Sequence, residues 1–496
     1  MVTVGTSTTF DFRGGTNVFN NNGQVIVGSS PVSATGSTFL LAGLTTFNNA
    51  GTLNLMNGVL GDSLLAPGSV YVGSGTAQLV VDTAVGAPGS RSDFLTVGTS
   101  SGRTSVVVRD TSPTAFGAYN PTGTVIVNGL THAGDFVLDR SSSFYNAALF
   151  GGVLDKPGLF FSQLGINAAG ATVLVNLPKV EAYQFSTLTS QAQAVWYGSA
   201  PRASRQAEVR DQLASGGRAG GFWIDVQGTR ESRDIDRRAT SLAGIQDYHA
   251  SYSQDLTSAT IGFDAVREAM NGSVVFGGSV GYVDAATDFD QQSSSVTMDG
   301  LAASAYATFV RSGWFVAATI GANQLNGEIK APRLTGFTTQ DTDITSLGGT
   351  VEVGFRAPFL MGTTIEPSAA VAYVNSSVDD FTAAGSTFRF DDGESLRPSL
   401  GARLSGETGV LGRQLVTRFA VSVRGVGEAV SGSDVVIASA GPDLGLRDPF
   451  ENGYGEVKAG FTGEGANGFS VFGDVTGRYS DKYRAVGLSV GIRLRY

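Results

Sequence analysis

Reactive side chains are scarce in this chain. Gly61-Asp62-Ser63-Leu64 sets a serine behind a turn-forming glycine. A serine nucleophile needs a histidine to take its proton and a carboxylate to orient that histidine. The 496 residues include two histidines, His132 and His249, and no cysteine. Gly129 stands three residues before His132, where an orienting aspartate would belong, and His249 falls in a much later loop. The motif therefore reads as a turn in a β-structure, and no enzyme is expected. Isolated histidines without thiols or a calcium-loop spacing give no metal centre, and no cofactor is expected.

Ionic chemistry remains. The net charge is −10 with 15% charged residues, and no basic patch stands out, which argues against nucleic acid. Arg202, Arg205 and Arg210 recur along one Ala-, Gln- and Glu-rich stretch, Pro201 to Ala214. These are helix formers. Pro201 suits a first helical position and Gly216-Gly217 a stop. At 1.5 Å per residue the stretch spans roughly 21 Å. It is polar on nearly all sides, which is odd for a helix on a core and reasonable in a wet lumen. An exposed interdomain linker is the other reading.

The elements that would surround such a helix lie downstream. In the final stretch, Val486, Leu488, Val490, Ile492, Leu494 and Tyr496 alternate with Ala485, Gly487, Ser489, Gly491, Arg493 and Arg495. Successive strand side chains face opposite sides. Eleven more such stretches precede it from Gly220 onward, centred near Phe222, Ala259, Phe276, Ala305, Val316, Val351, Ala369, Leu400, Phe419, Val457 and Val471. Twelve is even, as bacterial outer-membrane barrels require, and about 9–11 residues cross a bilayer. Connections after strands 2, 4, 6, 8 and 10 are short, while those after 1, 3, 5, 7 and 9 read as long and polar. A barrel with periplasmic turns and extracellular loops shows that alternation; a soluble sandwich has no reason to. Asp225, Asp264, Glu352, Glu366 and Asp474 fall on the inward face.

Residues 1–180 differ. Phe19-Asn20-Asn21-Asn22-Gly23 recurs 28 residues later as Phe47-Asn48-Asn49-Ala50-Gly51, each followed by a short apolar strand. A repeat of that length reads as a β-solenoid whose rungs stack to bury their apolar faces; an irregular sandwich is the alternative. High Gly, with 68 residues, and little Lys or Glu favour β-structure. There is no run of eighteen apolar residues, so no transmembrane helix is expected. Met1-Val-Thr-Val-Gly lacks a basic head and an apolar segment, so no signal peptide is expected in the chain as given.

The run Asn48-Asn49-Ala50-Gly51-Thr52-Leu53, Asn57-Gly58, Asp62, Gly75, Leu79, Asp82 and Ser92-Asp93-Phe94-Leu95 resembles the C-terminal passenger segment of autotransporters. Residues 218–496 resemble the translocator barrel of that family. Val195-Trp196-Tyr197 and Arg205-Gln206-Ala207-Glu208-Val209-Arg210-Asp211 resemble its pore helix, and Ser489 with Gly491-Ile492-Arg493-Leu494-Arg495-Tyr496 fits its terminal assembly signal. The resemblance implies a right-handed β-helix ending in an autochaperone-like cap (1–180), a linker with a pore-spanning α-helix (181–217) and a 12-stranded antiparallel transmembrane β-barrel (218–496). It implies type V self-secretion at the outer membrane of a Gram-negative cell. The expected partners are outer-membrane lipid and lipopolysaccharide, the barrel-assembly machinery and periplasmic chaperones. A host or neighbouring-cell surface joins them if the displayed passenger is an adhesin, and a passive porin is the remaining alternative. Some family members cut themselves at an asparagine in the pore helix; none occurs between Asn176 and Asn271, so no such cleavage is expected.

Overall fold

Phe19, Phe47 and Tyr71 stack edge to face, with ring centroids 5.3 and 5.4 Å apart. The 28-residue repeat is visible here as register: Phe19 pairs with Phe47, Asn20 with Asn48 and Asn21 with Asn49, in parallel strands. The asparagines form ladders, with Asn21 Nδ2 donating to Asn49 Oδ1 and Asn48 Nδ2 to Asn20 Oδ1, both at 2.8 Å. A second stack runs Val25, Leu53, Leu79, Val106. These columns are the core of an N-terminal parallel β-solenoid of about four turns. An antiparallel sheet closes it: Asn120–Leu130 pairs with Thr172–Pro178, which pairs with Phe160–Ile166. The computed structural model describes residues 1–28, 36–200, 203–214, 220–269, 271–410, 415–448, 453–465 and 468–495.

Helix follows directly. Segments α1 (Val180–Phe185), α2 (Leu188–Ser199) and α3 (Ala203–Ala214) succeed one another. From composition the helix is expected from Pro201 to Ala214, and the family resemblance adds Val195-Trp196-Tyr197; α1 and the start of α2 extend it further upstream. Their Ser and Thr residues are weak helix formers that here bond back along the chain, Ser186 Oγ to Tyr183 O and Ser190 Oγ to Thr187 O. Burial among barrel residues overrides the weak propensity. Pro201, Arg202, Gly216 and Gly217 lie outside the described residues.

Twelve strands then form a closed ring: β1 (Gly221–Arg233), β2 (Tyr252–Ala269), β3 (Gly272–Phe289), β4 (Ser295–Arg311), β5 (Trp314–Lys330), β6 (Gln340–Phe355), β7 (Thr364–Val378), β8 (Gly393–Val410), β9 (Leu415–Gly427), β10 (Gly453–Gly465), β11 (Phe469–Tyr479) and β12 (Tyr483–Arg495). Each is antiparallel to its neighbours, and β12 closes on β1 from Gly221↔Arg495 to Arg233↔Tyr483. Closure pairs the backbone groups that lipid could not satisfy. Leu301, Ile320, Leu400, Val423 and Leu494 are among the exposed outward residues of a lipid-facing band. The β4–β5 turn, with Ser312 at φ 49° and Gly313 at φ 85°, is the tight left-handed kind that suits a short hairpin.

The opposite rim is built up. The connection after β3 is five residues, 290–294, where the sequence suggested a long loop; its polar residues are absorbed into β3 and β4, which run 18 and 17 residues. After β1 stands a hairpin, Asp236–Ser241 with Gly244–His249. The connections after β7 and β9 share a four-stranded sheet, Phe381–Ala383, Ser386–Phe390, Asp434–Ala438 and Leu444–Arg447. This crown packs on the solenoid cap and α1 in one apolar core that includes Phe160, Phe161, Val180, Tyr183, Phe185, Tyr248, Phe388 and Ile437. Backbone bonds cross it, from Ile166 N to Leu242 O at 3.1 Å and from Gly158 N to Thr335 O at 3.0 Å.

A charge-clamped helix in the barrel lumen

Two helical segments of twelve residues each span about 18 Å apiece, so together they exceed the roughly 30 Å hydrocarbon core. The start of α2 therefore stands in the crown and α3 runs deep in the lumen. Segment α2 lies against β2 and β5 to β8, and α3 against β4. A cavity of about 350 Å³ remains on the other side, lined by residues of β8 to β12 among others.

Polar side chains fix α3. Arg205 donates from Nε to Asp264 Oδ2 of β2 at 2.8 Å, pairs with the same carboxylate through Nη2, and meets Glu208 through Nη1. Tyr306 of β4 donates to the other oxygen of Asp264. Arg210 lies 3.3 Å from Glu366 and 4.0 Å from Glu352, its guanidinium 3.8 Å over the Phe315 ring. Glu366 also meets Arg356 at 3.1 Å and Arg403 at 3.2 Å, and both of these arginines reach Asp211 of α3. Taking two charges out of water is costly unless partners and hydrogen bonds replace it; here each carboxylate has more than one donor.

The remaining inward positions serve the wall. Asp225 accepts from Ser489 Oγ at 2.7 Å. Glu352 pairs with Arg424 at 2.5 Å and accepts from Ser368 at 2.8 Å. Asp474 pairs with Lys458 at 3.0 Å, and Lys458 in turn donates to Ser204 of α3. Around the cavity, cation–carboxylate pairs repeat between neighbouring strands: Arg418–Glu464 at 2.5 Å and Arg478–Glu456 at 2.9 Å. Gly491 lies under the Phe472 ring, and Leu494 faces outward. Arg202 and Tyr496 lie outside the described residues. Glu208, which also meets Arg493 at 3.1 Å, and Asp211 stood in the sequence only as members of the pore-helix motif and Arg356 only as an inward strand position, none with a partner; Arg403 did not emerge from the sequence. Inward charge on a strand was the only available signal for the two arginines.

The esterase-like elements stay apart. Ser63 is buried with its Oγ 3.0 Å from Thr38 Oγ1. His132 Nδ1 lies 3.0 Å from the Ser100 carbonyl and 3.2 Å from Asp135. His249 pairs with Asp236 on the crown hairpin.

A closed twelve-stranded barrel with a lipid-facing band, threaded by a helix that leads to a solenoid outside, defines an outer-membrane translocator that carries its own passenger. Residues 220–476 match the family described as autotransporter beta-domain. That match spans more than half of the chain, and the protein belongs to the autotransporter family. Among solved structures it is similar to the beta domain of the Bordetella autotransporter Brka, at 18% identity over 56% of this chain and 100% of that one, with a TM-score of 0.43. It is also similar to the transport unit of AIDA-I from Escherichia coli, at 16% identity over 56% and 90%, TM-score 0.47. A third is the translocator domain of NalP from Neisseria meningitidis, at 14% over 62% and 99%, TM-score 0.44. The comparison with curated proteins found no match. The protein is an outer-membrane translocator that exports its passenger by type V secretion, and the family of its barrel is not enzymatic.

Proposed function

We propose that the chain is a self-displaying autotransporter whose helix stays in the pore as a resident plug and whose solenoid stays seated on the barrel. The passenger leaves through the lumen as an extended chain, C-terminal part first. Its cap folds against the crown, and that folding biases movement outward without ATP. The carrying observation is the succession of helical segments α1, α2 and α3 from the cap at Val180 to Ala214 deep in the lumen, the last gripped by Asp264, Glu352 and Glu366. Arg205 and Arg210 hold this closed state, while the paired charges lining the residual cavity leave little uncompensated charge to snag a sliding chain. Residues 1–180 are the passenger end, 181–217 the linker and 218–496 the translocator. No asparagine stands in the helix, which supports retention of the passenger without self-cleavage.

Assembly would use the terminal strand through Ser489, Gly491 and Leu494, with the barrel-assembly machinery and periplasmic chaperones as partners and lipid with lipopolysaccharide as surroundings. The passenger is not an enzyme in this reading: Ser63 and His132 are each committed to local partners.

Bilayer conductance tests the plug. The intact chain should be nearly closed, and deletion of residues 181–214 should open it; equal conductance of the two proteins would overturn the plugged state.

A further inference from the structure

Trp196 is the largest fully buried side chain among the described residues, and the wall is shaped around it. Gly321 of β5 and Gly348 of β6 are direct cross-strand partners, and both are buried on the inward face. Side chains at such a pair would stand close together and fill that part of the lumen; two glycines leave a notch. The indole sits in it and donates from Nε1 to Gly321 O at 2.9 Å. A Cβ on Gly348 would lie 2.7 Å from Trp196 Cζ2, and one on Gly321 would lie 2.8 Å from the Cβ of Ala200, one turn along α2. Val374 of β7, in register with Gly348, joins Trp196 and Ala200 in one apolar cluster. A third glycine, Gly393 of β8, admits Thr189: a Cβ there would collide with Thr189 Cγ2.

The ionic contacts further along the helix cannot set its height alone. Arginine and glutamate side chains are long and adapt by rotamer, and Arg210 already meets its two carboxylates at different ranges, 3.3 and 4.0 Å. A rigid indole in a close-packed notch tolerates no such adjustment. One residue of slip moves a helix by 1.5 Å and turns it by about 100°, which takes the indole out of the notch.

We propose that Trp196 and the Gly321–Gly348 notch form the register pin of the pore helix. They set the height and rotation at which the helix comes to rest. Arg205 is thereby presented to Asp264, Arg210 to Glu366, and Ser190 to Asp448 at the mouth. Trp196 is a positioning residue that acts through these pairs. The proposal rests on the reading of the helix as a resident plug.

The test uses the full chain in the outer membrane with Ser199→Cys and Asn323→Cys. These side chains are hydrogen-bonded at 3.0 Å, and the chain has no native cysteine. A short thiol cross-linker then reports register. Trp196→Ala empties the notch and Ala200→Leu overfills it; neither alters a barrel strand, and barrel folding is read by heat-modifiable gel mobility. Cross-linking should fall on the order of ten-fold in both variants, with conductance raised, while Trp196→Phe keeps most of the cross-link because it keeps the bulk. Unchanged cross-linking in folded Trp196→Ala and Ala200→Leu barrels would overturn the pin. Absence of the cross-link in the unsubstituted helix would instead overturn the resident plug.

Discussion

Arg233 and Asp448 meet at the barrel mouth in a buried two-pronged ion pair, Nη1 to Oδ2 at 2.7 Å and Nη2 to Oδ1 at 3.0 Å. Ser190 of α2 donates to the same Oδ2 at 2.6 Å, and Arg237 reaches Oδ1 at 2.9 Å. One carboxylate thus ties β1, the crown hairpin and the connection after β9 to the helix. Removing one partner of a buried pair costs about 3–5 kcal/mol. Asp448→Ala should make the crown and cap protease-sensitive at lower temperature while leaving the heat-modifiable barrel intact. Limited proteolysis across a temperature series measures both.

Acid–base behaviour should appear in the solenoid. Asp93 is fully buried and accepts from Gly61 N at 2.9 Å and from Asp62 N and Asp82 N at 2.8 Å. Burial pushes its carboxyl up to about 8; the backbone donors oppose this, and the nearby Asp62 and Asp82 charges reinforce it. The folded value lies above the unfolded one, so the contribution to stability is fully present below the ordinary carboxylate range and is lost as pH rises through about 8. The solenoid should be roughly 2 kcal/mol more stable at pH 6 than at pH 9. Hydrogen exchange of residues 52–110 in the full chain checks this, and Asp93→Asn should flatten the dependence.

Glu366 is the shared anion of Arg210, Arg356 and Arg403. Glu366→Gln removes the carboxylate that the three guanidinium groups share and leaves Asp211 and the more distant Glu352 to balance them, and an under-compensated buried charge is unfavourable. The helix end should loosen, seen as longer or more frequent open events in single-channel recordings. Arg238→Ala breaks the exposed pair with Asp247 on the crown hairpin and should leave the recordings unchanged, since exposed pairs contribute little.

The barrel was legible because its signal is local: the alternation of Phe222, Ile224 and Val226 with Trp223, Asp225 and Gln227 needs no knowledge of neighbours. The rungs were legible for the same reason, through the repeat at Phe19 and Phe47. Partners were not. Arg205 and Asp264 lie 59 residues apart in sequence, and which inward charge faces which helix position depends on barrel register. Helix α1 and the first part of α2 were hidden because Ser186, Thr187, Thr189 and Ser190 suggest a loop until barrel walls surround them. The notch at Gly321 and Gly348 was invisible for a different reason: a missing side chain carries no sign of what fills its place.

Surface accessibility in intact cells tests the central claim most directly. The chain is expressed behind an export signal, with one epitope before Met1 and a second in the β4–β5 turn at Ser312-Gly313, and the cells are treated with external protease. The first epitope should be lost and the second kept, with a fragment spanning the barrel surviving. Protection of the first epitope until the outer membrane is broken would contradict export of the passenger by this barrel.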